Sequence, residues 1–325
     1  MIKKLLWQLV IFLLTTDMFV AAQQPTKKVA RIGVLVTGPI FLTRFKAFQQ
    51  GLQTLGYVEG KTHVFEYRNA EGKLERLPEL AAELVRLKVD LIYTASAEAV
   101  SAVKNATKTI PVVFATVQDP LASGLVESLA RPGGNVTGMS VVASDLNGKR
   151  LEILKEVAPR ATRIGFFWSS ASPVAQANLK DTQAAAQALK LQLLSLEVRE
   201  DKDLERALET AIKQRAQALS TAPDPVINNA RVKIVGFAAK HRLPAMYAGP
   251  EFAENDGLMA YGPNYSDMWR RSATYVDKIL KGRTPADLPV EQPMKFEFIV
   301  NLKAAKQIGL TVPPNVLVRA DRVIR

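Results

Sequence analysis

The sequence predicts an α/β protein built as two similar doubly wound parallel-sheet lobes joined by a three-strand hinge. Three observations carry this. First, residues 90–140 read DLIYTASAEAVSAVKNATKTIPVVFATVQDPLASGLVESLARPGGNVTGMS. The apolar runs at 90–93 and 110–115 each end in small polar residues and each lead into a helical pattern, the alternation of a parallel sheet. Second, the unit recurs. Arg31-Ile32-Gly33 opens a run ending VLVTG, Arg163-Ile164-Gly165 opens another ending FFWSS 132 residues later, and Ile110-Pro111 is answered by Leu243-Pro244 after 133. Between them, DLIYTAS is echoed by ALSTAPD. Two nearly equal offsets at opposite ends of a unit mark a repeated lobe. Third, 325 residues exceed the length at which one core usually stops growing.

Taken in order, ARIGVLVTG from Ala30 is continuous and β-branched, a buried first strand closed by Thr37-Gly38. Phe45, Phe48, Leu52 and Leu55 recur three or four apart and predict a helix over 42–55, stopped at Gly56. Residues 57–61 form a turn, 63–69 alternate as a strand, and LERLPELAAELVRLKVD supplies a helix that delivers the chain to Asp90. After TVQDP, the leucines at 121, 125 and 129 recur every four residues and predict a helix, ended by Arg131-Pro132-Gly133-Gly134. Residues 136–143 are extended and form the first expected crossover, followed by a helix over 145–157. The second lobe then reads as strand 163–168, helix 173–189, strand 191–198, helix 201–215, strand 216–221, helix 225–241 and strand 243–248. GLMAYG, at 257–262, predicts a strand returning to the first lobe. A helix over 266–280, a Pro-rich connector at 285–293, a strand at 295–301 and a short helix at 302–308 complete the chain. Lobe 1 is therefore expected to hold 30–140 plus 262–290, and lobe 2 to hold 141–261 plus 291–325, with right-handed crossovers within each sheet.

Residues 1–22 read as a cleaved signal peptide. Lys3 and Lys4 precede an apolar run at 5–14, and Phe19-Val20-Ala21-Ala22 supplies the small residues a signal peptidase reads. That run is shorter than the roughly 20 residues needed to span a bilayer, so a permanent anchor is the weaker reading. The chain has no cysteine, which excludes lipobox acylation, disulfides, thiol catalysis and cysteine metal sites. A free, soluble periplasmic protein and a monomer are expected. The net charge of +12 is spread along helices without aromatic interleaving, so no nucleic-acid partner is expected.

Enzyme chemistry finds no support in the motifs. His63 and His241, expected at the surface, lie near no nucleophile motif, and no serine elbow, phosphate loop, dinucleotide fingerprint or metal-ligand spacing is present. Glu251 and Glu254 have no context that would hold them as a hydrolytic pair. No enzyme activity and no cofactor or metal are expected.

Longer segments carry a resemblance. GLQTLGYVEG, RLPELAAELVRLKVD, QDPLASGLVESLARPGGNVTG, GKRLEILKEVAPRATRIG, AAKHRLPAMY, GLMAYGPN and YVDKILKGRTPADLPVEQPMKFEFIVNLKAAKQIGLTVPP run through the chain from about Arg31 to its end. On these the chain resembles the substrate-binding proteins of ABC transporters related to the tryptophan-binding lipoproteins of Gram-positive bacteria. The resemblance implies a type I periplasmic-binding fold that closes on a small molecule and presents the closed form to a permease in the inner membrane. Relatives with known ligands bind aromatic amino acids. One departure stands out: where relatives often carry Gly-Thr-Pro at the end of the third strand, this chain has Ser96-Ala97-Glu98. Either Ser96 replaces the missing threonine hydroxyl or the ligand chemistry differs. The same binding physics also serves a sensor that hands its closed form to a membrane receptor, and the sequence leaves that alternative open.

An amino-acid-like ligand needs donors for its carboxylate and an acid for its ammonium group. Ser96 and Thr116 are the expected carboxylate donors, with helix N-capping as their ordinary role. Asp119 and Asp224, each followed by proline in a strand-end loop, are candidates for the ammonium, with Asx-turn capping as the alternative. Asp224 is preferred, because the second lobe must offer an attraction that drives closure. Trp168, Tyr247 and Tyr261 are placed at strand ends or at the crossover to stack on a ring, against core packing as the alternative. Thr37, Ser169 and Thr221 complete the expected lining.

Overall fold

The structure, a computed structural model, describes residues 29–141, 144–171 and 174–325. The signal-peptide reading of residues 1–22 and the end of the first expected crossover, at Val142 and Ala143, lie outside the described residues.

The first lobe is laid down as β1 (Ala30–Val36), α1 (Pro39–Thr54), β2 (His63–Asn69), α2 (Leu77–Arg86), β3 (Leu91–Thr94), α3 (Ala97–Ala106), β4 (Val112–Gln118) and β5 (Val136–Val141). Its five strands pair in parallel in the order β2-β1-β3-β4-β5. Side chains alternate across the sheet as the pleat requires. Ile32, Val34 and Tyr93 enter a core with Phe45 and Phe48, while Leu35 and Ile92 enter another with Leu80, Leu84 and Val100. Helices thus cover both faces, which is why these strands read as continuous apolar runs.

The second lobe contains α4 (Ser144–Val157), β6 (Arg163–Trp168), α5 (Ala175–Ala188), β7 (Gln192–Glu197), α6 (Asp201–Lys213), β8 (Ala218–Thr221), α7 (Pro225–Asn229), α8 (Arg231–Lys240), β9 (Ala245–Tyr247), α9 (Pro250–Glu254) and β10 (Met259–Pro263). The chain then returns to the first lobe as α10 (Tyr265–Leu280) and ends in the second as β11 (Phe296–Asn301), α11 (Leu302–Gln307), α12 (Pro314–Leu317) and β12 (Arg322–Ile324). The second sheet runs β12-β11-β10-β9-β8-β6-β7, parallel except for the β10–β11 pair. The protein is therefore two α/β lobes with parallel-sheet cores.

The chain passes between sheets three times: between β5 and α4, between β10 and α10, and between residue 291 and β11. On the third pass it runs beside β5 first, where the Ser140 N–H donates to the Glu291 carbonyl at 2.8 Å and the Glu291 N–H donates to that of Gly138 at 3.1 Å. At the second pass, Asn264 caps α10 by accepting from the Asp267 N–H at 2.9 Å. α10 then packs against α1, β4 and β5. Tyr93 and Ser272 share a hydrogen bond at 2.7 Å across that seam.

Four sequence expectations are corrected. The helix expected from the leucine spacing at 121–129 is a series of turns. Gly124 adopts a left-handed backbone (φ +65°), the Leu125 N–H bonds to the Pro120 carbonyl, and Leu121 is 50% exposed while Leu125 is buried, so the leucines share no face. The single helix expected over 225–241 is two, because Ala230 (ψ 0°) both ends α7 and begins α8. The strand expected to lead back to the first lobe, β10, is bonded between β9 and β11 in the second sheet, and the return is made after it. Finally, His63 is buried, edge-on to the Phe65 ring at 4.7 Å.

The seam between α1 and α10 makes a direct prediction. A Cβ at Gly51 would lie 2.3 Å from the Arg270 carbonyl oxygen. Gly51→Ala should therefore cost about 1–3 kcal/mol through overpacking, read as a lower urea midpoint. An unchanged midpoint would contradict this packing of α10 on the first lobe.

Candidate functional site

In a parallel sheet, the loops at the carboxyl ends of the strands gather on one side, and ligands bind there. In both lobes these ends face one cleft. Lobe 1 supplies Phe41 and Arg44 from α1, Ser96 and Glu98 from the β3–α3 junction, and Thr116 and Gln118 from β4. Lobe 2 supplies Asp224 and Asn228, and Tyr265 enters from the start of α10. A wider open depression, bordered by Asp90, Lys108 and Lys281, lies at the opposite, amino ends of the lobe 1 strands. The cleft is the better candidate because strand ends, helix starts and charge converge there.

Each lobe builds its side of the cleft from local rules. Ser96 caps α3, its hydroxyl accepting the Ala99 N–H at 3.3 Å. Its φ of 130° lies where L-residues rarely sit, a strain of about 1–3 kcal/mol that the surrounding structure must hold in place. Glu98 follows in the first turn of that helix, where its charge suits the helix dipole. Thr116 sits at a register shift in β4 between Phe114 and Val117, an irregularity that re-aims side chains. In lobe 2, Pro225 presets the start of α7. Asp224, 5% exposed, caps it by accepting the Val226 and Ile227 N–H groups at 2.8 and 3.4 Å.

The electrostatics are those of a closed cleft. Burial, and then the neighbouring charge of Glu98, push the Asp224 carboxyl up to about 8 in spite of its two backbone donors. Burial also raises Glu98, against hydrogen bonds from its own N–H and from Ser96, and Glu98 Oε2 has no partner. Across the lobes, the Arg44 Nε donates to Glu251 Oε1, with both side chains buried. The guanidinium lies 3.8 Å over the Tyr265 ring. Burial opposes both charges, but their mutual attraction outweighs it, holding Glu251 below and Arg44 above its ordinary value. Arg44 Nη2 and Glu251 Oε2 remain without partners. Gln118 adds a second bridge, donating to the Pro223 carbonyl and accepting from Asn178 Nδ2 at 2.9 Å.

Among the residues singled out from sequence, Ser96, Thr116 and Asp224 meet in this cleft. Trp168 and Ser169 line a smaller recess beside it, which also touches Asp224, and the Trp168 Nε1 donates to Ser195 Oγ at 2.8 Å. The others lie elsewhere. Asp119 is an exposed turn residue whose carboxylate accepts the Ala122 N–H at 2.9 Å. Thr37 is buried at the end of β1, and the Thr221 hydroxyl accepts the Ala248 N–H at 3.1 Å, tying β8 to the end of β9. Tyr247 stacks on Phe252 at 4.7 Å inside the lobe 2 core. The Tyr261 ring packs on Phe296 and Phe298 while its carbonyl accepts from Arg150 Nε. The aromatic side chains in the cleft lining are Phe41 and Tyr265, which sequence reasoning missed, rather than Tyr247 or Tyr261. Arg44 and Gln118 were also missed. Arg44 lies in mid-helix with no flanking motif, whereas the departure at Ser96-Ala97-Glu98 did mark the place of Glu98.

Two predictions follow from the charges. Glu251→Gln leaves the Arg44 guanidinium buried without a counter-charge and should disfavour the closed form by about 3–5 kcal/mol. X-ray scattering of the ligand-free protein should then show a larger radius of gyration, and no change would contradict the pairing. Separately, Asp224 titrates near about 8 when closed against 3.8 for an ordinary aspartate, so closure takes up a proton. The ligand-free closed form is therefore favoured at acidic pH and weakens as pH rises from about 4 to about 8, and Asp224→Asn should flatten that dependence. Glu98 acts in the same sense, while Glu251, held low, matters only at lower pH. A radius of gyration independent of pH in that window would refute the assignment.

Comparison with known proteins agrees with this architecture. Residues 28–324 match the family described as ABC transporter substrate binding protein. The chain is 25% identical over 287 residues to the tyrosine-binding protein of Clostridioides difficile, covering 88% of this chain and 82% of that one. It is similar to the structure of an ABC domain in complex with L-Trp from Streptococcus pneumoniae, with TM-score 0.84 and 26% identity over 91% of this chain and 100% of the other. It is also similar to a conserved domain protein from Vibrio cholerae, with TM-score 0.86, 27% identity and the same coverages. Among the described residues no helix is long and apolar enough to cross a membrane. Matched from residue 28 to residue 324, the chain belongs to the family of ABC transporter substrate-binding proteins, which bind solutes outside the cytoplasm and are not enzymes.

Proposed function

We propose that this protein is the periplasmic solute-binding component of an ABC importer, capturing a small amino-acid-like, aromatic ligand between its lobes by hinge closure. The observation that carries this is the convergence of polar and aromatic groups in one buried cleft. Asp224 offers an acid to an ammonium group, Arg44 Nη2 offers a free donor to a carboxylate or carbonyl, and Phe41 and Tyr265 offer aromatic walls. An unpaired buried polar atom costs about 1–3 kcal/mol, so a ligand acceptor that meets Arg44 Nη2 favours closure by the same measure. The names of the similar proteins, a tyrosine-binding protein and a domain solved with L-Trp, support the same ligand class.

On this reading residues 1–22 direct export and are removed after Ala22, leaving a free monomer that hands its ligand to a permease in the inner membrane. No nucleic acid takes part. Closure about the three crossings creates a surface spanning both lobes, which a bound ligand makes more populated.

Asp224→Asn is the direct test. Calorimetry of the protein from Gln23 onward with aromatic amino acids should show saturable binding, and the variant should lose about 2–5 kcal/mol of it at an unchanged melting temperature. Binding of the natural residue should also release up to one proton near neutral pH, seen as a dependence of the measured heat on buffer ionisation enthalpy. Undiminished binding by the variant would contradict the role given to Asp224.

A further inference from the structure

Glu98 and Asp224 come from opposite lobes and line the same cleft. No ion pair joins either of them to a lysine, arginine or histidine among the described residues. Arg44 is the one cation in the cleft lining and is already held by Glu251, while the buried Arg150 lies outside the lining and bonds to the Tyr261 carbonyl and Asn147, so among the lining residues two acids remain over. The count of unmet hydrogen-bonding atoms points the same way. Glu98 Oε2 and Asn228 Oδ1 are buried acceptors without donors, and Asn228, 8% exposed, lines the cleft beside Asp224. Against them stands one orphan donor in the cleft, Arg44 Nη2.

Two carboxyls brought together by closure repel unless something positive joins them. In the ligand-free form burial first, and the charge of Glu98 second, favour a proton on Asp224. A metal ion is a poor replacement, because no group of three or more acidic or histidine side chains suited to one occurs among the described residues. An organic cation is the better fit: its N–H groups are donors, and Phe41 in the lining favours a positive charge near its ring.

Resting on the proposed binding function, we infer that the physiological ligand carries net positive charge, with nitrogen donors on both Glu98 and Asp224, and that Glu98 sets this charge preference. A zwitterionic amino acid meets Asp224 and Arg44 but leaves Glu98 Oε2 buried and unpaired. A ligand with a second cationic nitrogen, or with a carbonyl where the zwitterion has its carboxylate, satisfies all three.

The test uses matched pairs that differ only in charge: L-tyrosine with L-tyrosinamide and L-tryptophan with L-tryptophanamide, alongside L-lysine and L-arginine, titrated by calorimetry at about pH 7. Each amide should bind the natural protein at least about tenfold more tightly than its parent acid, and Glu98→Gln should bring each pair within about threefold. The inference is overturned if the acids bind as tightly as their amides, or if Glu98→Gln leaves the preference unchanged while its melting curve shows a folded protein. If the acids bind and Asp224→Asn abolishes that binding, the proposed function survives the failure of the charge preference. If no member of either series and neither basic amino acid binds, both readings fall together.

Discussion

Everything at this site depends on one constraint: charge cannot be buried between the lobes without a partner. The closed form buries Arg44, Glu251 and Asp224 together with one carboxylate oxygen of Glu98. In a medium of low dielectric each would pay several kcal/mol alone. Arg44 and Glu251 resolve the cost with each other across the gap, and because they sit on α1 and α9 their bond forms only when the lobes meet. Among the described residues Glu98 and Asp224 have no such charge partner. The cleft is thus closed by one pair of charges and left wanting by another. An arrangement of this kind makes closure conditional on what fills the space.

The fold explains why these groups converge. Two parallel sheets, each with its strand ends toward the other, aim two sets of loops and helix starts at one volume. Three chain passes join the two sheets. Rigidity sits on either side: the α1–α10 seam fixes Arg44 and Tyr265 relative to lobe 1, and the β8–β9 pairing with the Thr221 bond fixes the loop that carries Asp224. Ser96 stores backbone strain at the mouth of α3, beside Glu98, where a relaxed loop would aim the acid elsewhere.

The architecture was legible because parallel strands buried on both faces write long apolar runs, and a repeated lobe writes them twice at one spacing. The error at 121–129 has a physical cause. A four-residue leucine spacing signals a helix only if the backbone can continue, and Asp119 (φ 37°) and Gly124 both take left-handed conformations that turn it. The placing of β10 failed for another reason: GLMAYG carries no mark of which sheet will bond it. At the site, strand-end residues such as Ser96, Thr116 and Asp224 could be found because the topology puts strand ends at the cleft. Arg44 could not, since its role comes from the approach of a helix in the other lobe 207 residues away. Tyr247 and Trp168 occupy strand ends too, but their rings turn inward, and a strand end alone does not fix which way a large side chain points.

The most direct test is a crystal structure of the protein, from Gln23 onward, grown with an aromatic amine that binds in solution. The account predicts the ligand nitrogen within about 2.7–3.2 Å of an Asp224 oxygen, the ring against Phe41 or Tyr265, and the Arg44–Glu251 pair intact. A ligand seated instead in the open depression between Asp90, Lys108 and Lys281, with the interlobe cleft empty, would contradict it.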